Sequence, residues 1–163
     1  MKTKSITTAA AVAAAYVALC LVFQPISYGG VQVRIAEAMT VLPVFVPAAI
    51  PGLFIGCMIA NLIGGGIVLD VIFGSLATLI GALGTYFLRN KPIWLTTLPP
   101  IVSNTVVVPL VLKYGYGIEM PLVILALTIC AGEIIGCGIL GTLLGTGLRR
   151  RIAGDPSIIK PFI

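Results

Sequence analysis

ALTICAGEIIGCGILG, residues 126–141, carries an acid, Glu133, in the middle of an apolar run. Two other runs do the same. GGGIVLDVIFGSLATLIGA (64–82) holds Asp70, and ISYGGVQVRIAEAMTVLPVF (26–45) holds Arg34 and Glu37. An acid at membrane depth costs roughly 2.5–3.5 kcal/mol on insertion scales, so each is a candidate functional residue if these runs lie in a bilayer. Composition says that they do. Of 163 residues, 59% are apolar and 9% charged, with a mean hydropathy of +1.16; soluble domains carry about 25% charged residues. The chain therefore reads as an all-α, polytopic membrane protein. At about 20 residues per span, residues 1–163 form a single integral membrane domain of about six helices, with no room for a separate soluble one.

Breakers place the spans. Tyr28-Gly29-Gly30, Pro47 to Gly52, Gly64-Gly65-Gly66, Asn90-Lys91-Pro92 and Tyr114-Gly115-Tyr116-Gly117 separate the apolar runs. The expected helices are Ser5–Ile26, a short Val33–Val46 stopped by prolines, Pro51–Gly64, Leu69–Leu88, Ile93–Lys113 and Met120–Leu148. Lys2 and Lys4 before an apolar run resemble a signal peptide, but the run is too long for one and lacks a clean small-x-small site, so it reads as a retained first helix.

Basic residues orient the bundle. With the N-terminus inside, six helices put Lys2, Lys4, Arg89, Lys91, Arg149, Arg150, Arg151 and Lys160 on the cytoplasmic side, leaving Arg34 and Lys113 at the outer edges. The expectation is a multi-pass protein of a bacterial plasma membrane with both termini cytoplasmic. The net charge of +5 is then topology, not a nucleic-acid footprint, and Arg149–Arg151 is an anchor.

In that orientation the polar side chains converge on the outer half and the midplane. Arg34 and Glu37 begin helix two, Asp70 begins helix four, Asn61 lies a turn before the end of helix three, and Gln24 and Tyr28 close helix one. Asn104 is about 15 Å below Tyr114, and Glu133 roughly 18 Å into helix six, at 1.5 Å per residue. The inner half holds little beyond Thr96 and Thr97. This is the outline of a pocket open to the outside, not of a continuous pore. Structural roles compete at most of these positions. Arg34 and Glu37, spaced i,i+3, could pair on one helix face. Asp70 could cap helix four. Asn104, just after Pro99-Pro100, could satisfy backbone freed by a kink. Glu133 has the weakest structural alternative, because no basic residue lies within two turns of it.

Other chemistry is excluded. There is no histidine, no Walker motif and no GxSxG. No enzyme activity, metal or cofactor is expected. Cys20, Cys57, Cys130 and Cys137 form no CxxC and read as small buried residues. Helix one is rich in alanine: Ala10/Ala14, Ala11/Ala15 and Ala14/Ala18 each give small-xxx-small spacing, a smooth face for another helix. Gly52/Gly56, Gly132/Gly136 and Gly141/Gly145 suit internal packing. GLFIGC (52–57) also echoes GEIIGC (132–137) in the opposite orientation, as inverted repeats in transporters do.

VQVRIAEAMTVLPVF, AIPGLFIGCMIANL, LDVIFGSLATLIGALGTY, PPIVSN and AGEIIG together resemble the QueT family, over roughly Val31–Leu144. QueT proteins are substrate-binding S components of energy-coupling factor (ECF) transporters. The resemblance implies a six-helix bundle of S-component type, an outward-facing site, and uptake of a queuosine precursor, either queuine or 7-aminomethyl-7-deazaguanine. It also implies partners: a transmembrane coupling protein and two cytoplasmic ATPases, with the alanine face of helix one as the docking surface. Family members often carry Ser-Glu where this chain has Ala36-Glu37, which keeps the acid and loses a hydroxyl.

Such a ligand would suit the residues. A deazaguanine edge presents an N–H beside an exocyclic amine, which one carboxylate can accept as a bidentate pair, and an aminomethyl cation wants a second acid. The expected substrate-binding set is Glu133, Asn104, Asp70, Glu37, Arg34, Asn61 and Tyr28, with Asn104 or Asn61 reading the carbonyl and Tyr28, Tyr114 or Tyr116 stacking on the ring. Two alternatives remain: a stand-alone small-molecule permease, or an S component for another vitamin-like heterocycle. A purely structural membrane protein would not need buried acids.

Overall fold

The computed structural model describes residues 3–27 and 33–159, and all its regular structure is helical. We number the principal helices α1 (Thr3–Val22), α2 (Ile35–Val44), α3 (Ala49–Ile63), α4 (Asp70–Phe87), α5 (Ile93–Gly115) and α6 (Leu122–Gly154). α1, α4, α5 and α6 are each long and apolar enough to cross a membrane, while α2 and α3 are shorter apolar helices. Their bounds follow the expected breakers closely, except that α6 runs on to Gly154.

α2 departs from the expected short α-helix at the outer face. It is a 3-10 helix, and Ala36 to Val41 are all buried. It packs against α1, α3, α4, the start of α5 and the 134–154 part of α6, so it threads the interior of the bundle. Its local chemistry accounts for the tight winding. The Glu37 N–H donates to the Arg34 carbonyl three residues back at 3.0 Å. The Thr40 hydroxyl donates to the Glu37 carbonyl at 2.6 Å, and Pro43 has no N–H to give. Runs of this helix type beyond three or four residues are uncommon, and at three residues per turn positions i and i+3 eclipse. Glu37 and Thr40 therefore line up on one edge of α2, with Arg34 just before it in extended backbone.

Three stretches of wide π-turn interrupt the other helices: Asp70–Gly74, Val111–Gly115 and Ile134–Gly141. Such stretches favour functional sites. Here one begins at Asp70, another ends just before Tyr116, and the third directly follows Glu133.

Small residues let the backbones close on one another. A Cβ added at Gly52 on α3 would lie 2.6 Å from the Ala9 carbonyl oxygen of α1, and one at Gly136 on α6 would lie 2.7 Å from the Arg34 carbonyl oxygen before α2. Ala9, Ala13, Tyr16 and Cys20 form the buried face of α1. Tyr16, Cys20, Ala36, Leu53, Cys57, Ala60 and Ala82 make one core cluster under it. At the basic end of the bundle the hydroxyls are used locally: Thr85 donates to the Thr96 carbonyl at 2.8 Å, Thr96 to Ile93 at 2.7 Å and Thr97 to Trp94 at 2.8 Å.

Gly52→Val is expected to destabilise the bundle by about 1–3 kcal/mol, the range for overpacking a close contact. The measurement is thermal melting of the purified chain in detergent, and an unchanged midpoint would show that α1 and α3 have slack between them.

Candidate functional site

The acids of α2 and α6 meet in the core. Glu37 and Glu133 are 1% and 5% exposed. A carboxylate oxygen of each and the Cys137 sulfur lie within 4.8 Å of one another. Residues from α1, α5, α6 and α2 itself contribute to this cluster. From α1, the Tyr16 hydroxyl donates to Glu37 Oε1. From α5, Asn104 Nδ2 donates to Glu133 Oε1 at 2.9 Å. From α6, the Cys137 thiol donates to Glu133 Oε2 at 3.2 Å, with Glu37 Oε2 at 4.0 Å and the Glu37 carbonyl at 3.4 Å. Thr40 Oγ1 closes the ring, 3.3 Å from the same sulfur.

The remaining acid lies in a second group, joined to the first. The Tyr116 hydroxyl donates to Asp70 Oδ2 at 3.1 Å and accepts from the Ile67 N–H at 3.2 Å. Asn61 Nδ2 donates to the Asp70 carbonyl at 3.3 Å and reaches Cys57 Sγ at 3.7 Å. Cys57 in turn accepts the Thr78 hydroxyl at 3.3 Å and interacts with Tyr16. Arg34, 6% exposed, acts electrostatically on Glu37, Asp70 and Glu133. The two polar groups adjoin where Cys57 and Tyr16 share the core cluster.

Several expectations are met and others corrected. Glu133 and Asn104, expected at a common depth, bond directly. Glu37 and Glu133, from opposite ends of the sequence, share one site. Asp70 does not cap α4: no side-chain cap bond forms at that helix start, and its carboxylate accepts from Tyr116 instead. Asn61 Nδ2 and Asn104 Nδ2 each donate to a protein acceptor. Asn61 Oδ1, by contrast, is buried without a partner among the described residues. Cys137 is not simply a small buried residue, because its thiol bridges both carboxylates. Tyr114 is 75% exposed and stands away from the acids; Gln24 is also exposed. Tyr28 lies outside the described residues. The sequence reading missed Tyr16, Thr40 and Cys137. Tyr16 did leave a signal, as a phenol amid alanines in an apolar helix.

Carboxylates held this close in a buried site oppose each other's ionisation. Two unit charges about 5 Å apart repel by about 3 kcal/mol at an effective dielectric of about 20, so a cation or a set of N–H donors placed between the glutamates is favoured. Glu37, Glu133 and Cys137 also converge as metal ligands do. They offer three donors where a closed zinc site takes four, and Tyr16 and Asn104 already occupy one oxygen of each carboxylate. The arrangement suits hydrogen-bonded recognition of an organic cation better.

The five alanines singled out on helix one fall on one side. Ala10, Ala11, Ala14, Ala15 and Ala18 are all exposed, whereas Ala9 and Ala13 pack inward.

Comparison with known proteins follows the same outline. The queuosine precursor transporter QueT of Lactococcus lactis subsp. cremoris (strain MG1363) is 42% identical over 81 residues, which cover 48% of this chain and 47% of that protein. The chain thus aligns with about half the length of that relative. No solved structure matches the chain significantly. The QueT transporter family matches from residue 6 to residue 150, through all six helices that build the polar core, and the chain belongs to that family of transporters.

Proposed function

We propose that this chain is the substrate-binding membrane subunit of an ECF-type transporter, and that it takes up a queuosine precursor, queuine or 7-aminomethyl-7-deazaguanine. The observation that carries the proposal is the pair Glu37 and Glu133, buried together with one arginine and Asp70 nearby. A guanine-like edge offers an N–H and an amine to one carboxylate, and the aminomethyl cation goes to the other. Asn61 Oδ1 can accept a further ligand N–H. Arg34, Asp70 and Tyr28 complete the proposed contact set. The name of the Lactococcus relative agrees with this substrate class.

The partners in this proposal are a transmembrane coupling protein and two cytoplasmic ATPases, since the chain has no Walker motif of its own. Exposed Ala10, Ala11, Ala14, Ala15 and Ala18 present the docking face. A stand-alone permease would need a polar route through the basic end, where Thr85, Thr96 and Thr97 give their hydroxyls to backbone carbonyls. The proposed setting is a bacterial plasma membrane crossed six times by a single integral domain, with both termini cytoplasmic.

Glu133→Gln replaces an acceptor oxygen with a donor amide that would face the ligand's own donors. A charge-assisted hydrogen bond is worth roughly 1.5–3 kcal/mol, so affinity for the deazaguanine is expected to fall at least about tenfold. Calorimetry on the purified chain measures this, with melting of the ligand-free protein as control. Unchanged affinity would refute the role of Glu133, and a collapse of the ligand-free protein would make it structural.

Ala11→Leu with Ala15→Leu places bulk on an exposed face. Ligand binding by the isolated chain is expected to persist, while uptake and copurification with the coupling protein are lost. Normal transport by the double variant would reduce these alanines to lipid-facing surface.

The topology makes a third claim. Asn90 and Glu119 flank α5 and are both exposed. Cysteines placed singly at these two positions should react with an impermeant maleimide from opposite sides of the membrane. Reaction from the same side would overturn the six-crossing arrangement.

A further inference from the structure

The basic end of the bundle contains a cleft that the transport proposal does not use. Its volume is about 360 Å³, and its lining includes Ile93, Trp94, Thr142, Thr146, Arg149 and Arg150. The cleft is built rather than incidental. Arg149 Nη2 reaches the carbonyl oxygens of Arg89 at 3.5 Å and Lys91 at 3.4 Å, which ties the end of α6 to the α4–α5 connection and gathers five basic residues there with Arg150 and Arg151. No acidic residue lines it.

Thr142, Thr146 and Arg150 follow one another at i, i+4 and i+8, so they form a strip down one face of α6. Arg150 makes no hydrogen bond or ion pair among the described residues, which leaves its guanidinium open. Facing the strip, Ile93 supplies an apolar wall, and the Trp94 ring is 60% exposed. Tryptophan with one wet edge and one apolar face settles at the headgroup level of a bilayer. Basic pockets between membrane helices hold anionic headgroups.

We infer that this cleft is a binding site for one anionic phospholipid, with its phosphate on Arg150 and the Thr146 hydroxyl and its glycerol and upper acyl chain along Thr142, Ile93 and Trp94. The charge of the cleft selects the anionic headgroup. Its position on the flank of two apolar helices selects a lipid over a free phosphate or a soluble peptide, because the apolar wall continues where the charge stops. A lipid held here would brace the α4–α5 connection against the end of α6, the same junction that Arg149 already ties.

The test uses the full chain, purified and reconstituted with phosphatidylglycerol and phosphatidylcholine in equal amounts, with native mass spectrometry counting retained lipid. Wild type is expected to retain phosphatidylglycerol over phosphatidylcholine. Thr146→Val with Arg150→Gln should lower that retention at least fivefold, and Trp94→Ala should lower it independently. Arg151→Gln removes the same charge but lines a different groove, beside α1, and should change retention less than twofold. Equal losses from Arg150→Gln and Arg151→Gln would mean diffuse attraction to a basic end and would overturn the site. So would equal retention of the two lipids by wild type, or displacement of phosphatidylglycerol by millimolar inorganic phosphate. Deazaguanine binding by the same variants is expected to stay at the wild-type value, so the lipid site and the transport proposal fail separately.

Discussion

Glu37 and Glu133 approach each other around Cys137 inside an apolar bundle, where a lone ionised carboxylate would be heavily penalised. Much of the remaining architecture answers that difficulty. Three different helices send a polar group to the pair, a phenol from α1, an amide from α5 and a thiol from α6, and the Thr40 hydroxyl of α2 backs the thiol. Each carboxylate keeps a set direction because one of its oxygens is already held. Partly satisfied buried networks are costly, but they are also poised for a ligand that brings the missing donors. Asn61 Oδ1, without a partner among the described residues, is a second instance of the same imbalance.

Bringing these groups together requires α2 to run through the middle of the bundle. A 3-10 helix is slimmer than an α-helix, and its eclipsed i,i+3 positions stack Glu37 and Thr40 on one edge. Gly136 gives α6 room to close on that edge, since any side chain there would strike the Arg34 carbonyl. Directly after Glu133, the wide turn that follows carries Cys137 to the carboxylates. Tight winding in one helix and loose winding in the other are thus complementary parts of the same site.

α1 has two faces with separate tasks. Tyr16 points inward and holds Glu37, while Ala9 and Ala13 let α3 approach closely. On the opposite side the alanines at 10, 11, 14, 15 and 18 are exposed, and Ala11 and Ala15 line a groove there. A helix that holds a site acid on one face and offers an exposed alanine surface on the other is well placed to connect ligand binding with docking in the proposed transporter.

The linear chain alone determined the helical class, the apolar runs and their breakers, and the acids worth attention. Those follow from composition, from where glycine and proline fall, and from the cost of charge in a membrane, all of which are local. Glu133 with Asn104 was legible too, because depth along a helix is a matter of counting residues. Tertiary structure decided the rest. α2 was expected as a short α-helix and is instead a buried 3-10 helix, because winding there depends on Thr40 and on the helices packed around it rather than on propensity. Asp70 looked like a helix cap and instead receives Tyr116, a residue 46 positions away. Tyr16, Thr40 and Cys137 were hidden among apolar neighbours, since nothing local reveals that a side chain 21 or 97 residues distant will need a partner. Which alanines face inward and which face out was equally invisible, because a helix apolar all round carries no amphipathic signal and only its neighbours assign its sides.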